Sequence, residues 1–318
     1  MMNDNYSVFF NSYNDEDEFL LTIAIPTYNR FALLNETLKS CFIQNFIFPV
    51  EVIIVDNNSI ELKERHEFIA KNKKLGRFKY VINHENLGMF GNWNQCLSLA
   101  KGKYITILHD DDVFKDNFSV AINKMFPDMT EGSIPIFGFD SYISDERLKK
   151  SEKINNVSNN IRQKKYYSKI DFFISNRFNG TLSVVMDRKK SIALGGFIAD
   201  WAPVADYEFW CRWTTSISGI LKLNDKVAVY RINENESMKK EVQDAFIYKS
   251  NLLRNYLIDS KKVPKIMRHT IYTLMQMQKH SVNCIWGLEE STKSVGIFSR
   301  SFIKLISFFA RLKFFNNR

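Results

Sequence analysis

The chain has 318 residues, of which 45 % are hydrophobic and 25 % charged, and its formal net charge is +9. This composition excludes an intrinsically disordered chain, and no run approaches the roughly 18 apolar residues that a membrane-spanning helix needs. The positive excess lies in the last quarter, where residues 241–318 carry 13 Lys and Arg against 5 Asp and Glu. A basic field over the whole protein, which is typical of nucleic-acid-binding proteins, is therefore excluded.

The first 19 residues are predicted to form an N-terminal extension. They contain the acidic run of residues 15–18 and lack the basic start of a secretory signal peptide. The four cysteines of the chain are far apart and have apolar neighbours, which favours buried free thiols in a reducing compartment. We therefore expect a cytoplasmic protein.

Between residues 20 and 113, apolar runs alternate with segments of helical spacing. The predicted strands lie within residues 20–29, 50–59, 77–88 and 103–113. The predicted helices lie within residues 30–46, 60–72 and 90–102. Gly102 is expected to close the last of these helices as its C′ residue. Strands that alternate with helices in this way predict an α/β fold with a mainly parallel sheet.

Each of these predicted strands ends in polar residues. The four ends read PTYN, DNNS, NHENLG and HDDD. Turn-forming preferences alone would explain any one of them. In such sheets, however, ligands bind beyond the C-terminal ends of the strands. Four polar ends on one edge of one sheet therefore favour a binding site.

Beyond residue 120 the pattern is less regular. Further strands are predicted within residues 133–143, 179–188 and 219–238, the last of these as two short strands. Helices are predicted within 195–216 and from 241 onward. The polar tract 144–165 is too hydrophilic for a core, and we expect it to form an insertion or a lid.

Asp110, Asp111 and Asp112 directly follow an apolar strand pattern. Three adjacent carboxylates repel one another unless a cation screens them. Mg²⁺ and Mn²⁺ commonly bind one or two carboxylates together with phosphate oxygens. The run therefore indicates a metal ion that bridges a diphosphate, and a solvated acidic turn that caps the next helix is the alternative explanation.

Five segments resemble the family 2 glycosyltransferases in order and rough spacing: TIAIPTYNR, VEVIIVDNNS, NLGMFGNWN, AKGKYITILHDDDV and GGF…DYEFWCRW. The resemblance implies the A-type glycosyltransferase fold, with a nucleotide-sugar-binding half at 20–125 and an acceptor-binding half at 126–240. A helical basic region would follow at 241–318. The resemblance also implies an inverting transferase that uses a nucleotide-diphosphate sugar and Mg²⁺ or Mn²⁺.

The resemblance assigns donor-binding roles to residues at the strand ends and in a later loop. These are Pro26, Thr27 and Tyr28 for the nucleotide pocket, Asp56 for the base (usually uracil), Asn86 and Gly88 for the loop near the ribose and diphosphate, and Arg231 for the diphosphate. For Arg231, a surface salt bridge is the alternative interpretation.

The family's Asp-x-Asp signature falls on the acidic run, but this chain departs from it. His109 stands where the leading Asp is expected, and Asp111 matches the metal-contacting carboxylate. The pair Asp110 and Asp112 has the same spacing, which leaves two registers open. We expect Asp111 and Asp112 to bind the metal and Asp110 to contact the donor. His109 could ligate the metal or be structural.

Inverting transfer needs a base that takes the proton of the acceptor hydroxyl. On a helix within 195–216, Asp206 would share a face with Trp213 and two other aromatic residues. Desolvation there would raise its basicity, and aromatic rings pack against sugars. The family's base is the Asp of a Glu-Asp pair, which corresponds to Asp206, although Ala205 replaces the Glu. Glu208 is the alternative base.

The C-terminal segment has helical spacing with one basic and one apolar face. The basic face holds Arg300, Lys304, Arg311 and Arg318, and the apolar face holds Phe298, Phe302, Leu305, Phe309 and Leu312. This pattern is typical of a helix on an anionic membrane. It is equally compatible with packing on the protein's own core. A peripheral position on the inner face of the plasma membrane would suit a lipid-linked acceptor.

The sequence thus favours a UDP-sugar-dependent glycosyltransferase that extends a glycan or lipid-linked glycan in surface polysaccharide synthesis. A sugar-nucleotide nucleotidyltransferase is one alternative, but it needs a glycine-rich basic loop after the first strand, and PTYNRFALL has no glycine. A nucleic-acid-binding or scaffold protein is another, but it would leave the acidic run and Asp206 without a role. We expect no nucleic-acid partner.

Overall fold

The computed structural model describes residues 5–145, 150–151, 164–232, 239–286 and 297–315. The strands are β1 (Tyr6–Asn11), β2 (Leu21–Thr27), β3 (Val50–Asp56), β4 (Lys79–Asn83), β5 (Tyr104–Ile107), β6 (Val113–Phe114), β7 (Ile136–Asp145), β8 (Lys150–Ser151), β9 (Lys164–Tyr167), β10 (Val184–Asp187) and β11 (Ile220–Ile232). The α-helices are α1 (Phe31–Phe42), α2 (Leu62–Asn72), α3 (Gly88–Leu99), α4 (Phe118–Asn123), α5 (Phe126–Glu131), α6 (Lys169–Ile174), α7 (Arg188–Ala193), α8 (Ala205–Ser216), α9 (Lys240–Asp259), α10 (Ile271–Trp286) and α11 (Ile297–Phe315). Short 3₁₀ helices lie at Ala199–Trp201 and Lys265–Thr270.

The strands form one mixed sheet whose centre is parallel. β4, β3, β2 and β5 lie side by side in this order and are parallel to one another. Next to β5 come β10, β7, β11 and β6, and β1 pairs with the other edge of β4. The chain runs outward from β2 to β4 and then returns to β5 on the opposite side of β2. The strand order therefore reverses between β2 and β5, which is where α/β sheets bind ligands.

The central strands are buried on both faces, which explains their apolar sequences. All seven residues of β2 and all four of β5 are buried. α1 contributes Phe31, Leu34, Leu38 and Cys41 to the same hydrophobic core, and these residues recur at helical spacing. Parallel sheets need helices over both faces. The predicted α/β architecture is confirmed.

One strand was not predicted from the sequence, and one strand prediction needs correction. The segment predicted as an N-terminal extension contains β1, which pairs antiparallel with β4 and so forms an edge of the sheet. One long strand, β11, replaces the two short strands predicted within 219–238. Its pairing with β7 is irregular around Lys226, and this irregularity accounts for the polar break in the sequence pattern. Most of the polar tract 144–165, predicted as an insertion or lid, lies outside the described residues.

The predicted role of Gly102 is also wrong. α3 ends at Leu99, and the chain is already extended at Ala100. Gly102 instead lies against β2, where an added Cβ would come within 2.6 Å of the backbone nitrogen of Thr22. Glycine is required there by close backbone approach rather than by helix termination.

The chain divides into two compact units. The first contains the sheet and comprises the described residues up to Tyr166, Phe178–Ala199 and residues 220–232. The second is helical and comprises Tyr167–Arg177, Asp200–Gly219 and the described residues from 239 onward. The functional halves at 20–125 and 126–240 stay a prediction, because compactness does not report which residues bind donor or acceptor.

Buried hydrogen bonds join the helices of the second unit. Arg254 of α9 donates to the carbonyls of Phe173 and Ile174 in α6, at 3.1 and 3.2 Å, and to Gln278 of α10 at 3.0 Å. The hydroxyl of Tyr207 in α8 donates to another α6 carbonyl. These donors satisfy carbonyls that the last turn of α6 leaves without helical partners. The same bonds hold α8 against α6.

Within the described ranges, no helix is long and apolar enough to cross a membrane. Cys41, Cys96 and Cys211 are buried free thiols, as predicted. Burial raises the pKa of all three thiols, which makes them unreactive.

Candidate active site

Thr27 and Asp110 join β2 to the loop after β5 at the point where the strand order reverses. Thr27 is the last residue of β2, and its hydroxyl donates to Oδ2 of Asp110 at 2.8 Å. The N–H of Leu108 donates to the carbonyl of Ala24 at 2.9 Å and extends the β2–β5 pairing. Residues 109–112, which we call the acidic loop, are therefore anchored at the edge predicted to bind a ligand.

Thr37 of α1 holds the backbone of the acidic loop. Its hydroxyl lies 2.9 Å from the carbonyl oxygen of Asp110 and 2.8 Å from that of Asp112. The N–H of Asp112 donates to the carbonyl of His109 at 3.1 Å and closes a tight turn. The turn buries all three carboxylates, since Asp110, Asp111 and Asp112 are only 5 %, 8 % and 0 % exposed. A solvated acidic turn is therefore ruled out.

Two arginines partly compensate the negative charge of the acidic loop. The Arg30 guanidinium bridges Asp110 and Asp111, at 3.3 and 3.0 Å. The backbone N–H of Arg231 donates to Oδ1 of Asp112 at 2.9 Å. Burial nevertheless raises the pKa of Asp110 to about 6 and that of Asp112 well above its usual range. The loop would be stabilised by a further cation.

A buried side-chain oxygen of the acidic loop lacks a hydrogen-bond partner within the described residues. It is Oδ2 of Asp112, which is fully buried and lies 3.6 Å from Nδ1 of His109. Ligand atoms of His109, Asp111 and Asp112 all lie within 4.8 Å of one another. A buried acceptor without a partner is costly. Carboxylate oxygen and imidazole nitrogen are ligands for divalent metals, so this donor set fits such an ion.

The ring of His109 is fixed on two sides. It stacks on Trp93 with 5.0 Å between the ring centroids, and its Nε2 lies 3.0 Å from the hydroxyl of Thr181. Burial lowers the pKa of His109, which favours the neutral ring. The ring thus faces two predicted metal ligands. Both roles that the sequence left open for His109, metal ligand and structural residue, are compatible with this position.

The residues predicted for the nucleotide pocket differ in how accessible their side chains are to a ligand. Pro26 lies within β2 opposite Val55 and is buried, and the hydroxyl of Thr27 is engaged by Asp110. Tyr28 follows the strand, and 43 % of its surface is exposed. Tyr28 is therefore the member whose ring is accessible for stacking against a base or ribose.

Asp56, predicted to contact the base, lies in a buried polar network. It is fully buried at the end of β3 and pairs with the Arg65 guanidinium at 3.1 Å. It also accepts from the hydroxyl of Tyr80 at 2.7 Å and from the N–H of Ser59 at 2.8 Å. Both carboxylate oxygens are thus engaged within the protein. Its contact with a base stays a prediction.

Asn86 and Gly88 build the turn that leads from β4 into α3. The Asn86 side-chain oxygen accepts from Asn57 at 2.6 Å and from the N–H of Gly88 at 2.9 Å. Gly88 has a φ of 70°, a conformation that side chains other than glycine rarely adopt. Both residues are exposed. They shape a loop at the ligand edge of the sheet, and their contact with a donor stays a prediction.

Asp206 is the second residue of α8, in the second unit, and is 8 % exposed. Its Oδ2 accepts from the Asn176 amide at 2.9 Å. Burial raises the pKa of Asp206 to about 6, although backbone N–H groups at the helix start and Asn176 oppose this shift. A carboxylate whose pKa lies near neutrality is suited to taking up a proton.

Glu208 and Arg231 are both engaged by oppositely charged partners. Glu208 accepts from Nε and Nη2 of Arg212 at 2.9 and 2.6 Å. Both of its oxygens are held, which makes it a weaker candidate base than Asp206. Arg231 is 7 % exposed, and its guanidinium pairs with Glu36 and contacts the Asp111 carbonyl. Its contact with a diphosphate stays a prediction.

The sequence reasoning missed several residues that contact the predicted site, among them Arg30, Thr37, Thr181 and Asn176. Arg30 and Thr37 follow the PTYN strand end and are seven residues apart. Polar residues at that spacing share one helix face, and this pattern could have identified the two as neighbours of the site. Thr181 and Asn176 are 72 and 30 residues from their partners His109 and Asp206. No local pattern marks such residues.

Sequence comparison relates the chain to known glycosyltransferases. The profile described as Glycosyl transferase family 2 matches residues 22–186. The GalNAc(5)-diNAcBac-PP-undecaprenol beta-1,3-glucosyltransferase of Campylobacter jejuni is 34 % identical over 122 residues, which is 37 % of each protein. Abequosyltransferase RfbV of Salmonella typhimurium is 35 % identical over 103 residues, or 32 % of this chain and 31 % of that protein. The matched segments thus span less than half of these relatives.

Solved structures share the fold. S. aureus TarS 1-349 in complex with UDP-GlcNAc matches with a TM-score of 0.58 at 14 % identity, over 86 % of this chain and 76 % of that one. The mannosyltransferase PcManGT from Pyrobaculum calidifontis, in complex with GDP-Man and Mn²⁺, matches with a TM-score of 0.57 at 14 % identity, over 94 % and 87 %. These matches confirm the A-type glycosyltransferase fold. Because the family profile covers more than half of its residues, the chain belongs to glycosyl transferase family 2.

Proposed function

We propose that this protein is a metal-dependent inverting glycosyltransferase that moves a sugar from a UDP-sugar to a hydroxyl group of a glycan. The observation that carries the proposal is the buried Oδ2 of Asp112, which has no hydrogen-bond partner in the described residues and faces His109 beside Asp111. It lies where the strand order of the sheet reverses, which is the usual ligand position in such folds.

Asp111 and Asp112 would hold a Mg²⁺ or Mn²⁺ ion. When bound, such an ion supplies positive charge that stabilises the departing diphosphate. Mn²⁺ is present in the mannosyltransferase of the same fold, which supports a metal in this chain. Asp110 would contact the donor sugar with a carboxylate that Thr27 and Arg30 hold in place. Arg231 would add positive charge near the diphosphate.

Asp206 would act as the general base. The acceptor hydroxyl oxygen attacks the anomeric carbon, the bond from that carbon to the diphosphate oxygen breaks, and the nucleoside diphosphate leaves with the electron pair. Asp206 takes the hydroxyl proton. A pKa of about 6 leaves the carboxylate mostly ionised at neutral pH while keeping it basic enough to share a proton.

The acceptor would be a lipid-linked or polysaccharide glycan in surface polysaccharide synthesis. The relative from Campylobacter jejuni is named for an undecaprenol-linked glycan, and the relative from Salmonella typhimurium is named as an abequosyltransferase. The first name supports a glycan acceptor here, and the second supports transfer of a sugar. A lipid-linked acceptor would place the enzyme at the inner face of the plasma membrane.

The helix α11 has a surface suited to that position. It packs on the second unit through Ile303, Ser307 and Ala310, which are buried. Large apolar side chains on it remain exposed: Phe302, Leu305, Phe308 and Phe309. Arg300 and Lys304 are exposed as well. An amphipathic helix with cations beside exposed Phe and Leu side chains is typical of binding to anionic lipid surfaces.

The donor and metal assignments can be tested together by thermal shift. We expect UDP with Mn²⁺ to raise the melting temperature of the full chain more than UDP or Mn²⁺ alone. The reason is that the diphosphate oxygens would complete the ligand shell of the ion. Asp111→Asn should lose the metal-dependent part. A metal-dependent shift with GDP or dTDP but not with UDP would contradict the uracil assignment. No shift with any nucleotide would refute the proposed function.

A further inference from the structure

The ring of His109 presents a lone pair to the acidic loop. The Thr181 hydroxyl lies 3.3 Å from the Ile107 carbonyl and 3.0 Å from Nε2 of His109. A carbonyl can only accept, and we assign the Thr181 hydroxyl proton to Ile107, so that Nε2–H of His109 donates to Thr181. We assign the tautomer from this bonding pattern. In the neutral ring, Nδ1 is then an acceptor without a proton.

This lone pair faces a second acceptor. Nδ1 lies 3.6 Å from Oδ2 of Asp112, a fully buried atom without a hydrogen-bond partner in the described part of the chain. That distance is too long for a hydrogen bond, and two facing acceptors repel each other. One ligand atom from each of His109, Asp111 and Asp112 lies within 4.8 Å of the other two. Separations of this size fit a donor set in which the three residues would hold one divalent ion.

The surroundings of His109 hold the ring in this orientation. Trp93, itself only 5 % exposed, stacks on it with an interplanar angle of 18°. Gly180 has a φ of 63°, and a Cβ added there would lie 3.4 Å from Cε1 of the ring. The Thr181 bond fixes the ring nitrogen that points away from the loop. A metal-ligating histidine characteristically donates its other ring N–H to such a partner.

We propose that Nδ1 of His109 is a third protein ligand of the divalent ion and makes the site select Mn²⁺ or Co²⁺ over Mg²⁺. The inference rests on the proposed function, which places a divalent ion at the acidic loop. Mg²⁺ takes oxygen ligands and holds several waters, whereas imidazole nitrogen suits the transition metals. The family resemblance places an Asp at this position, so the imidazole is a departure from the family's signature.

Pulsed electron paramagnetic resonance tests the ligand directly. We expect Mn²⁺ bound to the full chain with UDP to show electron spin-echo modulation from a directly coordinated nitrogen. The modulation should disappear in His109→Asp and persist in His269→Asp. His269 is an exposed histidine of the second unit, so it is a matched control for the same chemical change.

Competition between the two metals tests the selectivity. In His109→Asp an oxygen ligand replaces the nitrogen, so the ratio of Mn²⁺ to Mg²⁺ affinity with UDP should fall about tenfold or more. Thr181→Val removes the bond that orients the ring, and it should weaken Mn²⁺ binding about tenfold. Bound Mn²⁺ without nitrogen modulation in the wild type, or an unchanged ratio in His109→Asp, would overturn the role of His109 while leaving an ion at the carboxylates. Absence of Mn²⁺ binding with UDP would overturn both this role and the proposed metal.

Discussion

At the scale of single residues, buried carboxylates differ in whether a cation accompanies them. Asp56 is fully buried, and a buried arginine, Arg65, lies 3.1 Å away. Asp206 is almost as buried, but it accepts hydrogen bonds from the Asn176 amide and from backbone N–H groups. These neutral donors do not offset the desolvation of the carboxylate, and its pKa rises to about 6. Asp206 can therefore exchange a proton near neutral pH.

Replacing Asp206 tests its role as the base. In Asp206→Asn the side chain keeps its shape and hydrogen bonding but cannot accept the proton, so transfer should fall about a hundredfold or more. Wild-type transfer should decline as the pH falls through about 6, and the residual activity of the variant should lack this decline. UDP and Mn²⁺ binding, followed by thermal shift, should persist.

Two comparisons make that result specific. Asp200→Asn, the same change at an exposed position, should leave transfer unaltered. Asp111→Asn should lose metal-dependent donor binding together with activity. Near-wild-type turnover in Asp206→Asn would contradict the assignment and direct attention to Glu208. Loss of donor binding in that variant would instead identify Asp206 as a donor-side or structural residue.

The same variant should change how stability depends on pH. The folded-state pKa of Asp206, about 6, lies above its ordinary value of 3.8. The ionised form is thus disfavoured in the folded state, and this residue costs the wild type stability as the pH rises from about 4 to about 6. Asp206→Asn escapes this cost. In urea unfolding near neutral pH it should be more stable by roughly 1–3 kcal/mol, with the difference vanishing near pH 4. A difference that is independent of pH would refute the raised pKa.

At the scale of elements, α11 packs on its own unit and also leaves apolar side chains exposed. Its buried residues Ile303 and Ala310 pack on the second unit, while Phe302, Leu305 and Phe309 stay exposed. Removing the whole helix would therefore damage the unit as well as the exposed surface. Substitutions confined to the exposed side chains separate the two effects.

The triple variant Phe302→Ser, Leu305→Ser, Phe309→Ser should keep the melting temperature of the wild type. Its affinity for vesicles of equimolar phosphatidylcholine and phosphatidylglycerol should fall about tenfold or more in sedimentation assays, because the apolar contacts are lost. Lys304→Gln should weaken binding mainly at low salt. If the wild-type protein does not bind these vesicles at low salt, α11 is a packing element alone.

At the scale of the whole molecule, the two compact units are built from interleaved segments. The second unit draws α6, α8 and α9–α11 from distant parts of the chain. Arg254 of α9 binds the end of α6, and it is 2 % exposed. The predicted functional halves end at residue 240. A chain that ends there would lack α9, and α6 and α8 would lose their contacts with that helix.

A fragment of residues 1–240 should therefore fail to form a stable fold. We expect it to be rapidly degraded in limited proteolysis and to lack a cooperative melting transition, under conditions in which the full chain has one. Arg254→Met in the full chain should lower the melting temperature for the same reason, since it removes the buried donor to the Phe173 and Ile174 carbonyls of α6. A cooperative 1–240 fragment that binds UDP would show that the predicted halves are independent of α9–α11.

The sequence by itself determined the alternation of strands and helices, the ligand edge of the sheet and the family. These features are encoded locally, because burial of a parallel strand requires a continuous apolar run and a packed helix requires apolar residues at helical spacing. The same local reasoning misplaced Gly102, whose constraint comes from β2 rather than from its own helix. It also missed β1, a half-exposed edge strand whose pairing partner lies far along the chain.

Only the tertiary structure decided how the candidate site is charged and satisfied. Arg30 reaches Asp111 across 81 residues, and Arg231 reaches Asp112 across 119. Such contacts leave no periodic trace in a sequence. The raised pKa of Asp206 depends on which atoms exclude water around it, and the same holds for the buried oxygen of Asp112 that has no hydrogen-bond partner among the described residues. Desolvation is a property of the packed molecule. The sequence identifies the groups that titrate, but it does not give the dielectric environment of each group.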